Sequence, residues 1–381
     1  MASNRTGRPF PQDADNMKLL YITSVPARYQ LELFDSIIEQ GLADVRALFS
    51  TWSYPGLWED RPKLREGFEV LPRLQFQQLY PDLIFNFGIK QRAKSFDPDI
   101  AIIGGHHVPG LHQAMSILTR MKIPWLFWEE IVRIPENPWK RAIRLHLLDG
   151  VIRRCRSILA VGARAQSFFQ ERAGGTKRIH NFPYGSDLGR FMSISRTPRT
   201  DKKIRFLYCG QLVHRKGVDI LIDAFCRVAP RHPQSELVLL GSGILRDSLE
   251  KQVPESLRGR IRFEGHVEWE NLPKLYSTAD VFTFASRYDG WGMVVPEAMA
   301  GGLPVITTSA VGSAVHLIQN QENGFLFESE NTEQLANHME FFCQHPQECA
   351  RMGTQARESA RSLDARQASH HLIDILREEM R

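Results

Sequence analysis

This chain of 381 residues lacks several things, and each absence removes a class of explanation. No apolar run approaches the roughly 20 residues that a membrane-spanning helix needs, and the first residues carry no secretory pattern. Cysteine is scarce: Cys155, Cys209, Cys226, Cys343 and Cys349 are scattered, odd in number and without a CxxC pair. That argues against a disulfide framework and for a reducing, cytoplasmic setting. No His/Cys group has zinc-ligand spacing. Of the paired aspartates, Asp13 and Asp15 lie in an N-terminal tail, and Asp97 and Asp99 precede an apolar run, the wrong end of a parallel strand for a ligand. The expectation is chemistry without a metal. No short-period repeat is visible, and 43% hydrophobic with 24% charged residues is an ordinary globular composition.

Charge of one sign is not in large excess: the net value is +5, and nothing is patterned for nucleic acid. The exception is residues 139–156, WKRAIRLHLLDGVIRRCR, which hold Lys140, Arg141, Arg144, Arg153, Arg154 and Arg156. Trp139, Ile143, Leu147 and Val151 recur at helical spacing, which reads as a core-facing stripe with a solvated basic face behind it. The second reading is a face for anionic lipid or a lipid-linked acceptor, giving peripheral contact with the inner face of a membrane.

What the chain has in abundance is alternation of short apolar runs with amphipathic stretches. KLLYIT (18–23), VRALF (45–49), DIAIIG (99–104), WLFW (125–128) and SILAVG (157–162) read as buried strands, with helical patterns such as LELFDSIIEQ (31–40) between them. The series restarts after residue 200 with IRFLYCG (204–210), ELVLLG (236–241), IRFEG (261–265), DVFTFA (280–285) and PVITT (304–308). Such alternation implies parallel sheets built from right-handed crossovers. Two series separated by the stretch 186–203 imply two Rossmann-like α/β domains. The expected limits are a tail over 1–16, a first domain over 17–190, a second over 191–364, and a last helix over 365–381. Ligands bind outside the carboxyl ends of the strands, so a cleft between the domains is expected, with the stretch 186–203 as its hinge.

The most informative segment is SRYDGWGMVVPEAMAGGL (286–303), between two strands. Gly290 and Gly292 allow a tight turn, and Pro296 suits the first turn of a helix that begins near Met293. The free N–H groups of that turn form an anion site, while Asp289 and Glu297 beside it suit sugar hydroxyls. CGQLVHRKG (209–217) follows the first strand of the second half and places Arg215 and Lys216 where two cations can hold a departing diphosphate. LLGSGILRDSLE (239–250) is another strand, Gly-x-Gly turn and helix, which either lines a nucleotide or is simply a tight turn.

In this order and spacing, YCGQLVHRKGVDILIDAF, FEGHVEWENLPKLYSTADVF, DGWGMVVPEAMAGGLPVITT and NGFLFE resemble the family 4 retaining glycosyltransferases of the GT-B fold. The turn PYGSDLGRF (183–191) is similar to the family's interdomain turn. The resemblance implies two Rossmann-like domains facing each other across a cleft, the second holding the donor, and a C-terminal helix crossing back to the first. It implies a nucleotide-diphosphate-sugar donor, UDP- or GDP-linked, no cofactor, and a metal-independent hexosyl transfer that keeps the anomeric configuration. Glu297 would hold the ribose. Asp289 would face the donor sugar, and the backbone from Gly290 through Trp291, Gly292 and Met293 to Val294 would hold sugar and phosphate. Lys216 and Arg215, with Gly210 and Gln211, would bind the diphosphate; Gly241, Gly265, His266 and Val267 would lie along the nucleotide. The family leans toward glycan and lipid-linked acceptors of bacterial polysaccharide, lipopolysaccharide and glycolipid synthesis.

Departures fall mainly in the first half. Asp289 stands where glutamate is usual, and Gln211 where an arginine often helps. The first loop, SVPARYQ (24–30), lacks the usual glycine pair, so Arg28 and Tyr29 are candidates for the acceptor. IPWLFWEE places Glu129 or Glu130 where the family tends to have histidine, and a carboxylate there suits the donor sugar or the acceptor's proton. His106 and His107 close the preceding strand and are further acceptor candidates. The rival readings are another GT-B enzyme (a nucleotide-sugar epimerase or a phosphorylase) and a catalytically silent GT-B module that binds a glycan or scaffolds a partner.

Overall fold

The computed structural model describes residues 17–52, 61–76, 80–131, 136–196 and 203–381. The tail 1–16 and residues 197–202 of the linking stretch lie outside them. The chain forms two compact units: Met1–Asp187 with Ala365–Arg381, and Leu188–Asp364. The division at Asp187 falls a few residues before the limit expected from sequence, because the short helix Gly189–Met192 belongs to the second unit.

The first unit contains β1 (Lys18–Thr23), β2 (Asp44–Phe49), β3 (Phe68–Val70), β4 (Arg73–Phe76), β5 (Tyr80–Asn86), β6 (Ile100–Gly104), β7 (Trp125–Glu129), β8 (Ile158–Ala160) and β9 (Ile179–Asn181). Seven of these make one parallel sheet in the order β3-β2-β1-β6-β7-β8-β9. Every residue of β6 is buried, as in a strand covered by helices on both faces. Successive side chains of β1 serve opposite layers: Leu20 and Ile22 pack with Ile103, Leu111 and Phe127, whereas the Tyr21 ring meets Phe34 and Trp128 at tilted angles. β4 and β5 form a separate antiparallel hairpin that the alternation does not foresee.

The last helix, Ala365–Met380, packs on helix Arg28–Glu39 of the first unit. Ser369 donates to the Leu33 carbonyl, and Glu379 near the far end meets His180 Nε2 at 2.9 Å and Arg156 Nε at 3.2 Å.

The basic helix runs Pro138–Arg154, capped by Asn137, whose side-chain oxygen accepts from the amides of Trp139 and Lys140. Its expected core stripe is not the buried one. Trp139, Ile143 and Leu147 are exposed at 81%, 61% and 47%, and of the four only Val151 is buried, alongside Leu148 and Ile152. Residues four apart advance about 40° per step on an α-helix, so Val151 lies about 120° around from Trp139. The last turns face the core and the first turns carry their apolar side chains in solvent. Among the described residues no helix is long and apolar enough to cross a membrane.

The second unit contains β10 (Ile204–Cys209), β11 (Ser235–Leu240), β12 (Ile261–Gly265), β13 (Val281–Phe284), β14 (Val305–Thr308) and β15 (Gly324–Phe327). They form a parallel sheet in the order β12-β11-β10-β13-β14-β15. The strand order reverses between β10 and β13, as it does between β1 and β6 in the first unit. At such switch points the loops leaving two neighbouring strands diverge and open a crevice for a ligand.

Candidate functional site

In the second unit the loops that leave β10 and β13 come together through their backbones. Gly217 has φ +64°, and a Cβ there would lie 1.9 Å from the Ala285 carbonyl oxygen, so only glycine fits. Arg287 N donates to the Arg215 carbonyl at 2.9 Å, and Ser286 Oγ lies 3.1 Å from the same oxygen. The Gly-x-Gly turn after β11 has the same explanation. Gly241, at φ +131°, would drive a Cβ to 1.9 Å from the Gly210 oxygen, and its N–H donates to Gly265 at 2.7 Å.

This joining brings the side chains together. Lys216 Nζ donates to Asp289 Oδ2, and Arg215 Nη1 lies 3.6 Å from that oxygen while donating to the Tyr288 carbonyl at 2.9 Å. Lys216 and Asp289 are 14% and 15% exposed. Burial pulls the Lys216 ammonium below its usual pKa, and Asp289 opposes that pull without cancelling it. Lys216 also lies over the Phe284 ring, 5.0 Å from its centroid.

Arg287 was not singled out from sequence, yet it ties the two loops. Its guanidinium takes Asp219 with both terminal nitrogens, at 2.8 and 2.7 Å, and also reaches the His214 carbonyl and Glu330. The bidentate pair holds Arg287 well above its usual pKa. Burial pushes Asp219 up, but Arg287 outweighs it and holds the carboxyl below the ordinary range.

Beyond Asp289 the loop leads into helix Val294–Ala300, with Met293 at its cap, near the expected start. Gly292 takes φ +84°, but Gly290 is not among the positive-φ glycines, so only one of the two expected turn glycines is required by conformation. The close approach in this turn constrains Gly312 instead, where a Cβ would lie 2.1 Å from the Gly290 oxygen. Gly312 N and Ser313 N donate to the Asp289 and Trp291 carbonyls at 3.1 and 2.8 Å. Trp291 is 2% exposed, so this residue offers backbone to the loop, not its ring. Glu297 is 4% exposed. Burial, with the Glu297 charge behind it, pushes the Cys209 thiol up to about 12. Burial likewise raises Tyr208, and the Tyr208 hydroxyl donates to the Gln211 carbonyl at 2.8 Å. Asp289 and Glu297 thus both act on residues at the end of β10, the first on Tyr208 and the second on Cys209, with Val294 half-buried between them along the chain. His266 and Val267 follow β12, two strands from β10; the His266 side chain is 71% exposed and 3.7 Å from Glu268.

The first unit gathers its own set at the carboxyl ends of β1, β6 and β7. His106 Nδ1 lies 2.7 Å from Glu129 Oε2, a pair that the sequence did not announce, and the Glu130 amide donates to Glu129 Oε1 at 3.2 Å. His106 is buried and His107 is exposed. Arg28 and Tyr29 open helix Arg28–Glu39 directly after the β1 loop. The Tyr29 ring is 4.5 Å from that of Tyr184, and burial raises both phenols well above their usual pKa, seconded by the Glu130 charge at Tyr29 and by Tyr29 itself at Tyr184. Among the described residues no group of three or more His, Cys, Asp or Glu is arranged to hold a metal ion.

Comparison with known proteins bears on both units. Residues 192–359 match the family described as glycosyl transferases group 1. Mannosylfructose-phosphate synthase of Agrobacterium fabrum is 36% identical over 148 residues, which is 35% of this chain and 33% of that protein. The chain spans about a third of the length of the first curated relatives it matches. Solved structures share the fold over nearly the whole chain, two of them as follows. Sucrose-phosphate synthase of Thermosynechococcus elongatus superposes with a TM-score of 0.73 at 17% identity, covering 95% of this chain and 98% of that one. Anabaena HepE in complex with UDP gives 0.73 at 20% identity, covering 95% and 100%.

Proposed function

We propose that this chain, a group 1 glycosyltransferase with the GT-B fold, moves a hexosyl group from a nucleotide-diphosphate sugar to a glycan or lipid-linked acceptor. The observation that carries the reading is the meeting of Lys216, Arg215 and Asp289 at the switch point of the second sheet. Two cations there suit a diphosphate, and a carboxylate beside them suits sugar hydroxyls. As the bond from the anomeric carbon to the phosphate oxygen breaks, negative charge grows on the diphosphate. Fixed cations that stabilise that charge need no metal. The acceptor oxygen bonds to the anomeric carbon on the face the diphosphate leaves, so configuration is retained. Glu297, buried and acting on Cys209 at the end of β10, takes the ribose hydroxyls. Arg28, Tyr29, His106 and His107 serve the acceptor, with Glu129 or Glu130 to receive its proton. HepE, alike in fold, is seen with UDP, which makes UDP-sugars the first donors to try, followed by GDP-sugars. The acceptors fit bacterial cell-envelope synthesis at the cytoplasmic side of the membrane.

Lys216→Ala tests the assignment. Removing a charge aimed at the leaving group should lower kcat by roughly 10²-fold, and EDTA should leave the wild-type rate unchanged. A fully active variant overturns the role of Lys216, and loss of activity with EDTA that Mg²⁺ restores overturns the metal-free reading. Interconversion of the donor without acceptor would mark an epimerase, and nucleotide binding without turnover a silent module.

A further inference from the structure

The helix Pro138–Arg154 is anchored in the core only by its second half, through Leu148, Val151 and Ile152. Its first half projects three apolar side chains into solvent. Trp139, Ile143 and Leu147 form one ridge, four residues apart, that winds through about 80° of arc. They are among the few large apolar side chains of the described residues that stand exposed, and Trp139, at 81%, is nearly bare. Isolated exposed leucines need no explanation, but an ordered ridge containing tryptophan does.

The charges around the ridge indicate what covers it. Lys140, Arg141 and Arg153 are exposed on the same helix. The helix's one acidic residue, Asp149, is held by Arg172 at 2.8 Å, so no carboxylate of the helix opposes an approaching anion. The same unit exposes two further aromatic side chains. Phe85 of β5 and Phe87 just beyond it are 41% and 56% exposed. Tryptophan and aliphatic side chains interleaved with cations, in a helix too short and too charged to span, suit the boundary of an anionic bilayer.

We propose that the helix Pro138–Arg154 docks this chain on an anionic membrane surface. Trp139, Ile143 and Leu147 enter the headgroup–acyl boundary, and Lys140, Arg141 and Arg153 meet lipid phosphates. This deepens the reading of a lipid-linked acceptor but does not depend on it, because vesicle binding is read without any transfer reaction.

The test is flotation of the full chain with vesicles of equal parts phosphatidylglycerol and phosphatidylcholine, and with pure phosphatidylcholine. Wild type should float with the anionic vesicles, and at least about tenfold more weakly with neutral ones or at about 0.5 M salt. Trp139→Ser/Ile143→Ser/Leu147→Ser and, separately, Lys140→Gln/Arg141→Gln/Arg153→Gln should each weaken anionic binding by roughly tenfold or more. All six side chains are exposed, so an unchanged melting midpoint will show that the variants are folded. Three results overturn the proposal: no binding to anionic vesicles, equal binding to both compositions, or variants that bind like wild type. A wild-type dimer that the ridge variant abolishes, without vesicle binding, also overturns it and makes the ridge a contact between copies.

Discussion

Gly217→Ala is the sharpest perturbation that the second unit offers, because its consequence follows from backbone geometry. Gly217 sits at φ +64°, where an L residue costs about 1–2 kcal/mol. Its new Cβ would lie 1.9 Å from the Ala285 oxygen and 2.9 Å from the carbonyl carbon. Ordinary contact is about 3.5 Å, so the loops after β10 and β13 must separate by more than 1 Å. No flexible side chain can yield in place of that carbonyl. Overpacking of this kind costs about 1–3 kcal/mol, which brings the total to roughly 2–5 kcal/mol. For a unit of this size that is about 5–15 °C in the melting of the second unit, as read by scanning calorimetry. The control is Gly259→Ala, where the new Cβ meets nothing within 4 Å and the backbone is ordinary; it should stay within about 0.5 kcal/mol of wild type. A functional readout follows from position. Lys216 precedes Gly217, and Asp289 lies four residues beyond Ala285, so separating the loops pulls apart two groups that the intact donor needs together, and affinity for the nucleotide sugar should fall in the folded protein. If Gly217→Ala melts and binds nucleotide sugar as Gly259→Ala does, the packing argument for this glycine is wrong.

Two further outcomes follow from the same geometry. Glu297→Ala should weaken free nucleoside diphosphate and intact donor alike, by roughly 1.5–3 kcal/mol for each lost charge-assisted bond, whereas Asp289→Ala should spare free nucleotide and weaken the intact donor. Calorimetry with both ligands decides, and equal losses for Asp289→Ala place that carboxylate on the wrong part of the donor. In the first unit, burial raises Glu379, but His180 and Arg156 outweigh it and hold its folded pKa below the ordinary 4.5. Its contribution is therefore complete above that value and lost as pH falls through the lower folded pKa. Protection of 365–380 against hydrogen exchange, corrected for the intrinsic rate at each pH, should fall as Glu379 is protonated below its ordinary range, and Glu379→Gln should exchange faster than wild type already at pH 7; equal rates at pH 7 refute the anchor.

The fold was legible where burial is two-sided. A parallel strand covered on both faces becomes an unbroken apolar run, and IAIIG, SELVLL and VITT announce themselves for that reason. The elements that escaped are those without such a run. β9 is three half-buried residues, and the β4–β5 hairpin is a two-stranded excursion with Leu74 and Phe85 in solvent. The basic helix misled in a more instructive way. Its apolar spacing was real, but periodicity reports only that side chains share a face, and whether that face meets the core or solvent is decided by what packs against it. Pairings across long sequence distances were equally hidden. Nothing in SRYDGW points to Asp219, 68 residues away, although Arg287 and Asp219 hold the site's two loops together.

The charges at the end of β10 show how the parts read from sequence constrain one another once assembled. Gln211 brings no charge, so the cations there are Arg215 and Lys216, and Asp289 already occupies Lys216. A diphosphate bound at this point must therefore share or displace that contact. Both partners of the pair are about six-sevenths buried, so breaking it without compensation would strand a charge at a cost of several kcal/mol. On the proposed function an intact nucleotide sugar would remove the difficulty: the diphosphate would take Lys216 while the sugar's hydroxyls took Asp289, and neither charge would be left unpaired. A free nucleoside diphosphate would supply only the first half of the exchange. The expected outcome is a site that favours the donor over the spent nucleotide through Asp289. This is why the two ligands must be compared on the same variant: losing Asp289 relieves Lys216 for the nucleotide while leaving the sugar without its acceptor group.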